Sequence, residues 1–260
     1  MASGLACIDG VLLPAGEASI PVADGGLIRG DGVFEVLRLY DGYPFALDDH
    51  LQRMQRSADG LRLALDLDAL RADIATMLAA RSDGDDLLRV LATRGGRRIA
   101  LFEPLPESPA AFQLSCVTYS PVRVLDQIKS LSYAANMLAT RIARERGFDD
   151  ALLVTPHSRV LECPTSSFFG VIDGVLATAP LSEHVLDSIT RRVVLEVADA
   201  REQAITVADL ERLDEAFIAS SVVEVAGVSR IDDHELDAPG PLTIEVAALV
   251  RALIGAAVGG

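Results

Sequence analysis

A single lysine, Lys129, stands among 22 arginines in this 260-residue chain, and the imbalance singles out a primary amine. Arginine serves nearly every structural use of positive charge, but its guanidinium stays protonated and does not condense with a carbonyl; a lysine that sheds its proton does. A coding bias toward arginine gives the same count and leaves the last lysine where replacement fails, so both explanations point to residue 129. It lies in Ile128-Lys129-Ser130-Leu131-Ser132-Tyr133-Ala134-Ala135-Asn136, at the entry to a helix, with apolar neighbours that can desolvate the amine. Downstream, Glu162 is set in Val160-Leu161-Glu162-Cys163-Pro164-Thr165-Ser166-Ser167-Phe168-Phe169, where a carboxylate among apolar and hydroxyl residues wants a cationic partner. The run Leu186-Asp187-Ser188-Ile189-Thr190-Arg191 puts hydroxyls at a helix start, whose free N–H groups and dipole suit a phosphate. Ser220-Ser221 gives a second hydroxyl pair after a strand.

The elements that must position these groups read as two lobes of mixed α and β structure. From Ala18 to Phe45 the chain reads as short β-segments broken by glycines, with alternation over Val33–Leu39 and a hairpin turn at Asp41-Gly42. Helices are expected over Asp48–Leu61, with Leu51, Met54 and Ala58 on one face, and over Asp68–Arg81, with Leu70, Ile74, Met77 and Leu78. Strands at Leu87–Ala92 and Phe112–Tyr119 flank a basic loop, Thr93–Arg98, and a proline-rich stretch, Pro104–Pro109. Beyond a connector come a helix over Tyr133–Arg146, strands Ala151–Thr155 and Ser167–Ile172, and a turn at Asp173-Gly174. A helix over Thr190–Ala200, a short one over Val207–Leu213, a strand Glu215–Ala219 and a last helix, Pro241–Ile254, complete the reading. The expected division is residues 1–119 as a first lobe, 120–128 as connector and 129–260 as a larger second lobe. That puts Lys129 at a junction where small-molecule clefts commonly form.

Composition narrows the function. A net charge of −15 argues against nucleic acid or an anionic membrane as partner, since both need clustered positive charge. Three cysteines without CxxC pairing suggest neither a disulfide framework nor a zinc site, and fit a reducing cytoplasm. His50, His157, His184 and His234 are scattered, so no metal centre is expected. No signal pattern and no uninterrupted apolar run of about 18 residues is found, and a soluble protein is expected. Cys163, though beside Glu162, reads as a small buried residue, and Glu35 and Arg38 as structural.

In order and spacing, these segments resemble the fold-type IV enzymes that use pyridoxal 5′-phosphate, a group that includes D-amino-acid and branched-chain aminotransferases and 4-amino-4-deoxychorismate lyase. The resemblance covers nearly the whole chain, from Gly30-Asp31-Gly32-Val33-Phe34-Glu35 and His50-Leu51-Gln52-Arg53 through the Lys129 segment to Ser220-Ser221 and Glu224-Val225. It implies an α/β (mixed α+β) fold of two lobes, the larger C-terminal one built on a mixed, barrel-like sheet flanked by helices and holding the cofactor. It implies that Lys129 is the Schiff-base lysine and that Glu162 keeps the pyridine nitrogen protonated, which makes the ring an electron sink. Arg53, Ile189, Thr190 and Ser221, with Ser220 a weaker match, correspond to phosphate-binding positions. Leu186 corresponds to the residue packed on the ring, and Tyr133 to a tyrosine that hydrogen-bonds the ring oxygen. A homodimer acting on amino acids and 2-oxo acids is expected from the same resemblance.

Substrate recognition departs from the usual set. Phe34 stands where the D-amino-acid enzymes have a tyrosine, and Gly95-Gly96-Arg97-Arg98-Ile99-Ala100 where they have an Arg-x-His pair. Arg29, with Arg94, Arg97 or Arg98, is the expected carboxylate clamp, solvated loop arginines being the alternative. The stretch from Lys129 to Met137 is also similar to some aminodeoxychorismate lyases, which eliminate pyruvate with the same cofactor. Transamination, of D-amino acids or branched-chain amino acids, is the main expectation, and that elimination is the alternative.

Overall fold

The computed structural model describes residues 4–82 and 86–258. Tertiary contacts divide the chain into two compact units. The first runs through Pro106 and also takes Ile128–Tyr133; the second comprises Glu107–Gln127 and Ala134–Ala256.

In the first unit the chain makes β1 (Leu5–Ile8), β2 (Val11–Pro14), a short helix α1 (Gly25–Arg29), β3 (Gly32–Tyr40) and β4 (Tyr43–Pro44). It continues with α2 (Leu47–Gly60), α3 (Leu67–Ala79), β5 (Leu87–Thr93) and β6 (Arg98–Glu103). The strands form one antiparallel sheet in the order β2-β1-β6-β5-β3-β4. The hairpin expected at Asp41-Gly42 is present, with φ of 50° and 88° at its two turn residues, the left-handed pair that matches strand twist. Helix α3 begins one residue after Asp66, whose carboxylate accepts the N–H of Ala69 at 2.9 Å. The predicted faces Leu51, Met54 and Ala58 of α2 and Leu70, Ile74 and Met77 of α3 close over Val33, Leu37, Leu88, Val90, Ala100 and Phe102.

Strand β3 has two faces of different character because side chains alternate. Val33, Glu35, Leu37 and Leu39 are buried on the helix side, while Val36, Arg38 and Tyr40 on the other side remain half-buried. Glu35, fully buried in the helix-side core, is met by two residues of α2. Arg53 donates from Nε to Oε1 at 2.7 Å and from Nη2 to Oε2 at 2.6 Å, and His50 Nδ1 lies 2.8 Å from Oε2. Burial pushes the Glu35 carboxyl up, but the charge and hydrogen bonds of Arg53, with those of His50, outweigh it and hold the group at about 2. Burial pushes the His50 imidazole down, Arg53 and Lys129 add to that, and Glu35 opposes it, with a net lowering.

The second unit holds β7 (Phe112–Thr118), α4 (Ala134–Glu145), β8 (Asp150–Val154), β9 (Arg159–Val160), β10 (Ser167–Ile172) and β11 (Val175–Thr178). After these come α5 (Ile189–Val197), β12 (Ala200–Glu202), β13 (Ile205–Thr206), β14 (Leu213–Ser220), β15 (Glu224–Ile231), β16 (His234–Glu235) and α6 (Pro241–Val258). The sheet is mixed, in the order β12-β11-β10-β14-β15-β7-β8-β9-β13 with β16 on β15. Both faces of β8 are covered: Leu152 and Val154 pack with Leu114, Phe168 and Ile218, whereas Ala151 and Leu153 pack with Ala139 and Ala143 of α4. Glu215 caps α6, accepting the N–H groups of Leu242 at 3.1 Å and Thr243 at 2.9 Å. Among the described residues α6 is the one helix long and apolar enough to cross a membrane by length and composition, although it carries Glu245 and Arg251 and buries Thr243, Val246, Val250 and Ile254.

Several sequence expectations are corrected. No strand forms between Ala18 and Asp31; α1 lies there instead, begun by Asp24 accepting the Gly26 N–H at 2.7 Å. The hairpin β1–β2 and the strands β6 and β15 were not anticipated; β1 and β6 pair with each other, and β15 with β7, across long stretches of sequence. The helix expected to reach Ala200 ends at Val197, and residues 200–202 join the sheet as β12 beside β11. Strand β7, expected in the first lobe, pairs in parallel with β8 and β15 of the second sheet, so the change of unit comes at Glu107. The lysine segment, expected to open the second lobe, belongs to the first unit, because its backbone bonds to β3.

A Glu35→Gln chain is expected to be about 3 kcal/mol less stable than the native protein at pH 7, because the buried Arg53 loses its counter-ion. The native carboxylate lies below its ordinary 4.5, so its contribution is present above that pH and is lost as pH falls toward about 2. Urea melts from pH 6 to 2 should therefore show that loss in the native protein and a flatter profile in the variant.

Candidate active site

Near its start β3 has an unpaired edge, since β4 reaches only Leu39 and Tyr40. The lysine segment fills it. The Phe34 N–H donates to the Lys129 carbonyl at 3.2 Å and the Leu131 N–H donates to the Gly32 carbonyl at 2.8 Å. From the other side the Lys129 N–H donates to Oγ of the buried Ser57 of α2 at 3.1 Å. The close approach explains the Gly-Asp-Gly motif. Gly30 is left-handed, with φ of 65°, and a Cβ there would meet Ser132; at Gly32 one would run into the Ala92 carbonyl and the Leu131 side chain. Held by its main chain, Lys129 places Nζ 4.5 Å from the ring centre of Phe34 and 5.7 Å from that of Tyr133, and the two rings meet edge to face at 5.3 Å.

Of the expected substrate residues, Phe34 joins Lys129, whereas three arginines are engaged elsewhere. Arg94 pairs with Asp31 at 3.1 Å and donates to the carbonyls of Leu61 and Arg62, both at 2.7 Å. Arg97 meets Asp9 at 2.6 Å and Arg98 meets Asp73 of α3 at 2.9 Å, on the helix side of the sheet. Arg97 and Arg98 border a groove of about 510 Å³ with Gln55, Asp66 and Thr93. Arg29 is exposed at the end of α1. Arg53 shares its guanidinium with Glu35, as described.

Sequence reasoning missed Arg89. The register Phe34↔Leu91 and Val36↔Arg89 puts Arg89 and Leu91 on the face of the sheet that carries Phe34. The Arg89 guanidinium lies 5.8 Å from the Phe34 ring centre, held by Glu103 at 2.8 and 2.9 Å. That fork uses Nε and Nη2, and the side chain is about one-third exposed, at 32%. Strand alternation carried the signal, but only once β5 is known to lie beside β3.

The remaining candidates belong to the second unit. Glu162 sits in the loop from β9 to β10 and accepts the Leu186 N–H at 3.1 Å. Its main-chain carbonyl accepts from Leu153 at 2.9 Å, and Asn136 of α4 donates to the Pro164 carbonyl at 3.1 Å, so the loop is tied on both sides. Burial, with Glu162 adding to it, pushes the Tyr119 hydroxyl up. Burial, with Asp150 and Glu162 adding to it, pushes the Cys163 thiol well up, away from the thiolate form. Ser188 caps α5 by accepting the Arg191 N–H at 3.3 Å, which leaves Ile189 and Thr190 in the first turn, where N–H groups have no helical acceptor. Ser220 ends β14, accepts the Val223 N–H at 3.4 Å, and with Ser221 opens the turn into β15. Among the described residues no cluster of His, Cys, Asp and Glu suits a metal ion.

The first unit offers an amine beside aromatic rings; the second offers a carboxylate fixed by a backbone N–H, and hydroxyls with a helix N-terminus that suit an anion. In sequence and fold the chain is similar to known proteins. The amino-transferase class IV family matches residues 32–231. The putative branched-chain-amino-acid aminotransferase of Methanocaldococcus jannaschii is 31% identical over 88% of this chain and 88% of its own length. The D-alanine aminotransferase of Bacillus licheniformis is also 31% identical, over 92% and 93%. The structure of 4-amino-4-deoxychorismate lyase from Pseudomonas aeruginosa superposes with a TM-score of 0.83 at 28% identity, covering 95% of this chain and 98% of that one. The chain belongs to the class IV aminotransferase family, whose enzymes work with pyridoxal 5′-phosphate.

Proposed function

We propose that this enzyme moves an amino group between an amino acid, of the D or the branched-chain type, and a 2-oxo acid, with Lys129 as the amine that takes up the coenzyme's aldehyde. The observation that carries this reading is the fixing of the sole lysine. Its main chain is bonded to β3 on one side and Ser57 on the other, and its amine rests over two aromatic rings. A lysine kept only for charge needs none of these constraints.

The donor set fits pyridoxal phosphate: an amine for the aldehyde, a carboxylate for the ring nitrogen, and hydroxyls with a helix N-terminus for the phosphate. In this reading Glu162 pairs with the ring nitrogen, Leu186 packs on the ring and Tyr133 donates to the ring oxygen. Arg53, Ile189, Thr190 and Ser221, with Ser220 in support, hold the phosphate. When bound, the coenzyme supplies an aldehyde that accepts the substrate amine and a cationic ring that draws electrons from the α-carbon. Lys129 would hold the coenzyme through its aldehyde and, as a free amine, would carry the proton taken from the substrate α-carbon. Glu162, oriented by the Leu186 N–H, keeps the ring nitrogen protonated.

Carboxylate recognition in this proposal passes from Arg94, Arg97 and Arg98, which are committed to Asp31, Asp9 and Asp73, to Arg89 beside Phe34, with Arg29 at the open end of α1. Glu103 holds the Arg89 guanidinium through Nε and Nη2, so the partly exposed group can receive a carboxylate with little loss of side-chain freedom. A second reading, elimination of pyruvate to leave 4-aminobenzoate, is favoured by the likeness to the Pseudomonas lyase over nearly the full chain. A cytoplasmic homodimer completes the proposal, supported by three free cysteines and by the exposed side chains of Val22, Leu27 and Ile28.

Lys129→Ala is expected to abolish the visible absorbance of the lysine-linked coenzyme and to lower turnover more than about 10²-fold; a variant that keeps the band removes the central assignment. A panel of D- and L-amino acids, (R)-amines and aminodeoxychorismate, run with and without a 2-oxo acid, separates the two readings. Transamination requires the acceptor, whereas release of 4-aminobenzoate without one establishes the lyase. In the same panel Arg89→Gln should raise KM for carboxylate substrates about tenfold and spare amines that lack a carboxylate. Light scattering should give twice the chain mass; a monomer mass at working concentration refutes the dimer.

A further inference from the structure

The resemblance assigns nothing to Gln127, yet its side chain is bonded to the loop that orients Glu162. Gln127 has a φ of 59°, a left-handed conformation that a residue with a Cβ adopts at a cost. From there its amide spans the backbone around Leu186. Nε2 donates to the Val185 carbonyl at 2.7 Å, and Oε1 accepts the Asp187 N–H at 3.0 Å. A weaker contact joins Nε2 to Asp126 Oδ1 at 3.5 Å. Next door, Asp126 Oδ2 meets His184 Nδ1 at 2.9 Å, so two consecutive residues staple the segment from His184 to Asp187.

Leu186 lies between the two bonded positions, and its N–H is the donor to Glu162 Oε1 at 3.1 Å. An amide that pairs with the carbonyl of one residue and the N–H of the second residue after it acts like an added strand. It fixes both peptide planes that flank Leu186, and with them the direction of the Leu186 N–H. We infer that Gln127 is a positioning residue for the acid of the ring nitrogen: through the Val185–Asp187 backbone it sets the geometry in which Glu162 meets the coenzyme. The inference rests on the reading of Glu162 given above. The left-handed backbone at Gln127 is consistent with selection for where its side chain points.

The test uses the full-length apoenzyme and two ligands, pyridoxal phosphate and its 1-deaza analogue, in which a C–H replaces the ring nitrogen. Dissociation constants come from absorbance and fluorescence titration, so no turnover is needed. Gln127→Ala removes both bonds; Gln127→Gly removes them and also relieves the left-handed backbone, which keeps a folded variant in hand. Both variants should bind pyridoxal phosphate about tenfold more weakly while binding the analogue within about twofold of native, shrinking the preference for the nitrogen-bearing ring. Equal weakening of both ligands, or no change in either, overturns the inference. Glu162→Gln is the control. If that variant shows the native preference, the reading of Glu162 itself has failed. If its preference collapses while the Gln127 variants keep theirs, only the role of Gln127 has failed.

Discussion

A carboxylate withdrawn completely from water persists in a fold only where cations and hydrogen bonds replace its solvation, and Glu35 is such a group. The clasp of Arg53 and His50 around it joins β3 to α2. Because consecutive residues of a strand point to opposite faces, the same constraint decides where Phe34 goes. With Glu35 drawn into the helix-side core, Phe34 must face the other way, toward the amine of Lys129. Helix α2 also supplies Ser57, which receives the Lys129 N–H. One buried ion pair thus fixes the register of the strand whose edge carries Lys129.

The two units solve the same problem, the holding of a polar group at a set angle, by different means. In the first unit, main-chain pairing along β3 does it, and glycines at 30 and 32 make room. In the second, loops are held by single side chains that reach backbone groups: Asn136 at Pro164, Gln127 at Val185 and Asp187, Ser188 at Arg191. Each ligature satisfies backbone groups that irregular chain would otherwise leave to water.

What could be read from sequence divides along physical lines. Helices α2, α3 and α4 were legible because their apolar residues recur at helical spacing, and the hairpin after β3 because Asp-Gly suits its turn. Strands β1, β2, β6 and β15 were not: β1 and β2 are four residues long, and β1, β6 and β15 each take a partner far away in sequence. The same limit hid the unit to which β7 and the lysine segment belong. Of the candidate site residues, Lys129 and Glu162 stood out by residue type and setting. Arg89 did not, since its relation to Phe34 exists only across the β3–β5 pairing, and Arg94, Arg97 and Arg98 drew attention in its place because basic residues in a glycine-rich loop look available. Their partners Asp31, Asp9 and Asp73 come from three separate segments, which local sequence does not reveal.

The packing of one ε-amine over Phe34 and Tyr133 gives the molecule a built-in reporter. Protein grown on ¹⁵N-lysine carries a single labelled side-chain nitrogen, so its resonance is assigned without mutagenesis, and the ring currents of two aromatic neighbours shift the attached methylene protons away from random-coil positions. Every change in hydration, protonation or covalent state at that nitrogen is then visible as one peak, free of overlap from any other lysine in the chain.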